Sequence, residues 1–215
     1  MEPKIIDTTN KLSYHFATGL ISFASIFLFL VLGIEVSRAV AATAFFLLFL
    51  VMVIGPIMRL WRHLARMLLW ELPWGWRGEL GIWFVLLSIV HGFLVMQVKN
   101  WQLPAINIGS LLGLIALFWA MVLAATSFSK VIKFIGVDQW RWLHTVGTYV
   151  IFYLLATHII RYTFGHPRGY TGPNWLPWLY LIMIVTVIVL QFTAFVKSVI
   201  YYQKSKKPEE LEEKK

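Results

Sequence analysis

The sequence predicts an all-α integral membrane protein, a bundle of six transmembrane helices with both termini cytoplasmic. Three observations predict it. Of 215 residues, 59% are hydrophobic and only 13% are charged, about half the charge content of a soluble domain, and the mean hydropathy is +0.72. The apolar residues gather in six long stretches nearly free of Lys, Arg, Asp and Glu. The Lys and Arg residues fall mainly into alternate gaps between those stretches. A soluble single-domain enzyme and a disordered chain are excluded by this composition. A transmembrane β-barrel is excluded because the runs are continuous and do not alternate.

The stretches are Leu12–Ile34, Ala39–Met58, Leu80–Val98, Asn100–Ser129, Trp142–Ile160 and Gly169–Val196. At 1.5 Å of rise per residue, about 20 apolar residues cross the ~30 Å hydrocarbon core. The first stretch fits that length. A cleaved signal peptide competes for it, but Phe16–Ile34 outruns a signal core of roughly 7–15 residues. Its flank Met1–Lys11 is also mixed in charge. The second, third and fifth stretches fit one span each. The fourth and sixth are longer and include the polar loops Gln102–Ser110 and Thr171–Trp175, so each holds one span and a flank. The domain reading is a cytoplasmic N-terminus at 1–11, a six-helix membrane domain at 12–200, and a charged cytoplasmic tail at 201–215.

Orientation follows from the cations, because Lys and Arg are retained on the cytoplasmic side. With six spans, the N-terminus, the 2–3 and 4–5 loops and the tail share one side. They hold 15 of the 19 Lys and Arg residues, leaving only Arg38, Lys99, Arg161 and Arg168 opposite. The net charge of +9 is therefore a topology signal and calls for no nucleic acid. Eleven tryptophans, many near span ends, read first as interfacial anchors.

There is no cysteine, which removes disulfides, thiolate metal sites, iron–sulfur clusters and covalent haem attachment. Histidine carries the remaining chemistry. His91 and His158 lie within apolar runs, where an imidazole is costly and usually functional. A hydrogen bond between helices is the alternative for either one. Their arrangement argues further. His144 and His158 are 14 residues apart, nearly four turns, so they share a face about 21 Å apart along the axis. His91 lies 14 residues beyond Arg77, which opens the third span. His91 and His158 thus fall at one level in the outer half, and Arg77 falls level with His144. Two neutral imidazoles facing each other in an apolar pocket form a bis-histidine axial pair for one b-type haem. Zinc would want a third or fourth ligand. A second haem at the inner level would need a partner for His144. His63 lies near that surface, and Arg77 is a poor metal ligand suited to haem propionates or a quinone. His15 and His166 sit close to the interface and are assigned no metal.

The chain resembles the ferric reductase-like transmembrane superfamily, closest to its short bacterial MsrQ/YedZ type, the haem-binding membrane subunit of a periplasmic methionine sulfoxide reductase system. Four segments carry the resemblance: Gly55 to Arg59 ending the second span; Arg77, Gly81 and Trp83 before His91; Leu111 to Ser127; and Trp140 to His144 before His158. It covers about residues 50–165. The resemblance implies haem ligation by His91, His144 and His158. It also implies electrons drawn from a quinone pool or a flavoprotein, with FMN or quinone as a further cofactor, and a periplasmic reductase as acceptor, in a bacterial inner membrane.

The chain carries no G-x-G-x-x-G motif of its own after the sixth span, so electrons are expected from a quinol or a separate cytoplasmic flavin reductase. Arg59, Arg62, His63, Arg66, Arg77 and Arg141 are expected to form the electron-input site, where cations meet propionate, flavin or quinone oxygens. The outer loop Gly165–Trp175, with His166, Arg168, Tyr170 and Trp175, is expected to dock the acceptor. A stand-alone ferric or oxygen reductase is the same chemistry with another acceptor. A His-relay proton channel or transporter is the non-redox alternative, weakened by the lack of a convincing repeat and by few intramembrane carboxylates. A purely structural subunit leaves the matched depth of His91 and His158 unexplained.

Overall fold

The computed structural model describes residues 12–61, 72–98, 100–101, 107–165, 170 and 172–212. Among the described residues there are seven helices and no strand. They are α1 (Leu12–Val31), α2 (Val36–Leu60), α3 (Leu72–Val98), α4 (Ile108–Ala125), α5 (Ser129–Ile135), α6 (Val137–Thr163) and α7 (Trp175–Glu212). All but α5 are long and apolar enough to cross a membrane. Each expected span is met by one helix. This is the fold of a multi-pass helical membrane protein.

The boundaries differ in both directions, α1 ending at Val31 and α4 keeping to Ile108–Ala125 while four helices run long. Helices α2, α3, α6 and α7 run past the charge-free stretches and take in Arg38, Arg59, Arg77, Glu79, Arg141 and Lys197. The backbone has no reason to stop at a charge, because a long side chain near a helix end reaches the interface while its stem stays apolar. α7 continues as helix through the charged tail to Glu212. The short α5 is a further element, carrying Lys130 and Lys133 between two spans. It stops at Gly136, whose φ of 94° is costly for any residue with a Cβ, and α6 starts from the same glycine.

The core is built on α2. In its most apolar window 67% of residues are buried, against 17–28% in the other five spans, so α2 is the helix the others wrap. It packs most closely on α3, then on α7 and α1, while α4 pairs with α6. Phe45 of α2 stacks on Phe152 of α6 at 6.3 Å and meets Tyr180 of α7 edge-on at 5.6 Å. On α1, Thr18 accepts a 2.7 Å hydrogen bond from Trp76 Nε1 of α3. Small residues set the closest approaches, as is usual where lipid removes any hydrophobic drive between helices. A Cβ on Gly147 would come within 2.9 Å of Leu123 Cδ2. Leucine at Gly147 is therefore expected to prise α4 from α6 at a cost of about 1–3 kcal/mol, measured as a lowered midpoint of unfolding in mixed detergent micelles. An unchanged midpoint would show that the two helices have slack there.

Pro56 lies inside α2 and has no N–H, so the Met52 carbonyl four residues earlier loses its helical donor. Gln191 of α7 replaces it, with Nε2 donating to Met52 O at 2.9 Å. Lys197 of α7 donates to Leu60 O where α2 ends. The end of the bundle with Arg59, Arg77 and Lys197 is called the basic end below.

Candidate functional site

His91 lies on α3, toward the end opposite the basic end. Its Nδ1 is 2.9 Å from the Ser37 carbonyl oxygen and 3.2 Å from Ser37 Oγ, in the first turn of α2. His158 lies on α6, and its Nδ1 is 2.7 Å from the Gly109 carbonyl oxygen in the first turn of α4. A carbonyl can only accept, so both Nδ1 atoms carry the proton and donate. In a neutral imidazole the lone pair then sits on Nε2. Neither Nε2 makes a hydrogen bond among the described residues. This is the arrangement of a histidine prepared to bind a metal, its tautomer and ring orientation fixed by a carbonyl behind it.

The helices that carry His91 and His158 do not pack closely on each other. Glycines shape the surroundings. A Cβ on Gly92, next to His91, would meet nothing within 4 Å. Gly113 of α4 lies flat against the other ring, since a Cβ there would be 3.4 Å from His158 Cε1 and Nδ1. Two imidazoles whose Nε2 atoms make no hydrogen bond among the described residues are donors suited to a haem iron. They do not fit a closed zinc site, which needs more ligands. Among the described residues no three His, Asp or Glu side chains converge.

His144 is used differently. Its Nε2 is 3.1 Å from Thr126 Oγ1 at the end of α4, and that hydroxyl gives its own proton to Leu123 O at 3.0 Å. His144 therefore donates through Nε2, and its ring rests on Trp140 at 4.5 Å. His91 and His158 thus each turn Nδ1 to a carbonyl in the first turn of a neighbouring helix, and His144 turns Nε2 to Thr126.

Arg77 meets Arg59. A Cβ on Gly55 would lie 3.6 Å from Arg77 Nη1 and 3.9 Å from Arg59 Nη2, so both guanidinium groups converge over this glycine. They line a cavity of about 260 Å³ with Thr148, Tyr149 and Gln191. Gln191 Oε1 accepts from Tyr149 Oη at 2.7 Å and from Arg59 Nη2 at 3.3 Å. Arg141 stands apart, exposed and 3.5 Å from Asp138. Arg62, His63 and Arg66 lie outside the described residues.

Beyond His158, aromatic rings lead toward the opposite end. Tyr162 stacks on His158 at 6.4 Å, Tyr170 meets Tyr162 edge-on at 6.3 Å, and the Arg38 guanidinium sits 5.6 Å from the Tyr170 ring centre. Burial pushes the Tyr170 phenol above its ordinary value, opposed by Arg38. His166 and Arg168 of the expected docking loop lie outside the described residues. Sequence reasoning missed the carbonyls of Ser37 and Gly109, and also missed Tyr149, Tyr162 and Gln191. Only Gln191 left a signal, a lone amide in the apolar run of α7, opposite a helix that carries a proline inside it. No protein-family model matches the chain, and no curated protein matches it.

Proposed function

We propose that the chain is a b-type haem membrane subunit that moves electrons across a bacterial inner membrane, from a quinol or flavoprotein donor to a periplasmic reductase. The observation that carries this reading is the pair of carbonyl-anchored imidazoles. His91 and His158 each spend Nδ1 on a backbone oxygen and keep Nε2 for iron. A bound haem would supply a one-electron carrier in the outer half of the membrane. The protein's part is to hold both imidazoles neutral, to fix their planes through Ser37 and Gly109, and to keep water out with apolar walls. His144 spends Nε2 on Thr126, which favours one haem over two.

The basic end is assigned to the cytoplasm by the positive-inside rule. Arg59 and Arg77 then mark the donor side, and Tyr162, Tyr170 and Arg38 mark the acceptor side. Repair of oxidised methionine as the downstream chemistry rests on the family resemblance.

The test is the visible spectrum of the purified full chain, reduced minus oxidised, after expression with ample haem. Low-spin b-type bands are expected, and acid acetone should extract all of the pigment. A colourless, folded preparation would overturn the reading. A finer expectation concerns Gly113. Valine there would press on the His158 ring and is expected to weaken haem retention about 10–100-fold, as perturbing groups behind metal ligands does. Haem titration of the variant measures this, and unchanged retention would mean that the ring has room to move.

A further inference from the structure

We propose that Glu79 is a proton-binding site inside the bundle, exchanging its proton with water at the basic end along the seam between α1 and α3. Three observations carry it. First, Glu79 is only 3% exposed and lies within a span. Its Oε2 makes no hydrogen bond, and no ion pair reaches it, among the described residues. A buried carboxylate without a partner is costly in a membrane and marks an ion or proton pathway. A proton removes that cost and needs no room in the packing.

Second, the contacts of α3 put this carboxyl on the α1 side. Trp76 Nε1 donates to Thr18 Oγ1 at 2.7 Å. Trp83 lies against Gly19, where a Cβ would be 2.9 Å from its Cζ2, and it meets Phe23 edge-on at 6.4 Å. Glu79 follows Trp76 by three residues and precedes Trp83 by four, the spacings that keep side chains on one face of a helix. It therefore falls between the two tryptophans, level with the turn from Thr18 to Ser22.

Third, the face that α1 buries there is polar. The buried residues of α1 are Thr18, Gly19 and Ser22, while Phe16, Leu20 and Phe27 stay exposed. Ser22 Oγ donates to Thr18 O and Thr18 Oγ1 to Tyr14 O, both at 2.8 Å, so the hydroxyls follow one another a turn apart. The stripe ends at Tyr14 and His15, half-buried in the first turn of α1. Trp76 adjoins Arg77, which places that turn at the basic end. A hydroxyl both donates and accepts, so such a stripe can relay a proton by exchanging its hydrogen bonds.

Few other charged or titratable groups lie on the helices around Glu79. α1 offers Tyr14 and His15, and α3 offers Arg77 and, about 18 Å along the axis, His91. α2 has none between Arg38 and Arg59, and α4 has none. In the exchange, hydronium at the basic end gives its proton to the carboxylate and leaves water. Release reverses the step, and no electron moves. The inference does not rest on the haem reading, and a colourless chain would still show it.

The experiment titrates the full chain in phosphatidylcholine nanodiscs under attenuated-total-reflection infrared spectroscopy. The carbonyl stretch of a protonated carboxylic acid is expected to appear as the pH falls and to shift in heavy water. It should vanish in Glu79→Gln and return in Glu79→Asp. Thr18→Val removes a relay hydroxyl and should slow hydrogen–deuterium exchange of this band about tenfold or more. Dicyclohexylcarbodiimide, an apolar reagent that attacks protonated carboxyls, should label Glu79 in the wild type, as read by peptide mass spectrometry. A water-soluble carbodiimide should leave it unlabelled. If Glu79→Gln does not fold, the wild-type labelling decides the matter alone. A Glu79 that refuses the apolar label, or a carbonyl band unchanged in Glu79→Gln, would overturn the proposal. Exchange at the wild-type rate in a folded Thr18→Val variant would overturn the route along α1.

Discussion

Alanine at His91 or at His158 is expected to strip the purified protein of all its low-spin haem absorbance, while alanine at His144 leaves the spectrum in place. On the proposed haem reading, each of the first two changes removes an imidazole whose Nε2 has no other use among the described residues. A five-coordinate haem, held on one side only, should be lost during purification. His144 differs because its Nε2 proton is given to Thr126 at 3.1 Å. Added imidazole separates ligation from folding. It should restore a low-spin spectrum to His158→Ala if the cavity is intact, because the small molecule replaces the missing side chain. Loss of all haem in His144→Ala, with a normal spectrum in His158→Ala, would reverse the assignment. The absence of rescue in a variant that elutes and melts like the wild type would point to a structural role for His158.

Leucine at Gln191 is expected to destabilise the bundle by about 2–6 kcal/mol, although it is more apolar than the residue it replaces. Gln191 supplies the donor that Pro56 denies to the Met52 carbonyl, and its own oxygen accepts from Tyr149 and Arg59. Removing it orphans a buried carbonyl and a phenol at once, and each orphaned group costs about 1–3 kcal/mol. Combining it with Pro56→Ala should recover part of the loss, because alanine returns the N–H that Met52 lacks. Reversible unfolding in mixed micelles measures both variants. Additive losses in the double variant would show that Gln191 and Pro56 act independently.

The spans were legible because membrane insertion is a composition rule. A segment of about 20 apolar residues is helical wherever it sits, since a backbone in hydrocarbon must satisfy its own hydrogen bonds. The short α5 between Ser129 and Ile135 was not legible, because seven residues with two lysines carry no span signal. The spacing of His91, His144, His158 and Arg77 along their own helices was legible for a geometric reason. A straight helix converts sequence spacing into depth at 1.5 Å per residue. What lies across from each residue is not written in that spacing.

The sequence by itself determined six long apolar helices and the spacing of His91, His144, His158 and Arg77 along them. These are local quantities, set by chain composition and helical rise. Only the tertiary structure decided that α2 is the buried helix, that Ser37 and Gly109 turn their carbonyls to His91 and His158, and that Thr126 occupies His144. It alone decided that Arg59 and Arg77 meet over Gly55. Those facts depend on the rotation of each helix about its axis. In lipid that rotation is set by close packing and by a few hydrogen bonds between helices that are distant in sequence, because one lipid-facing apolar surface is as favourable as another.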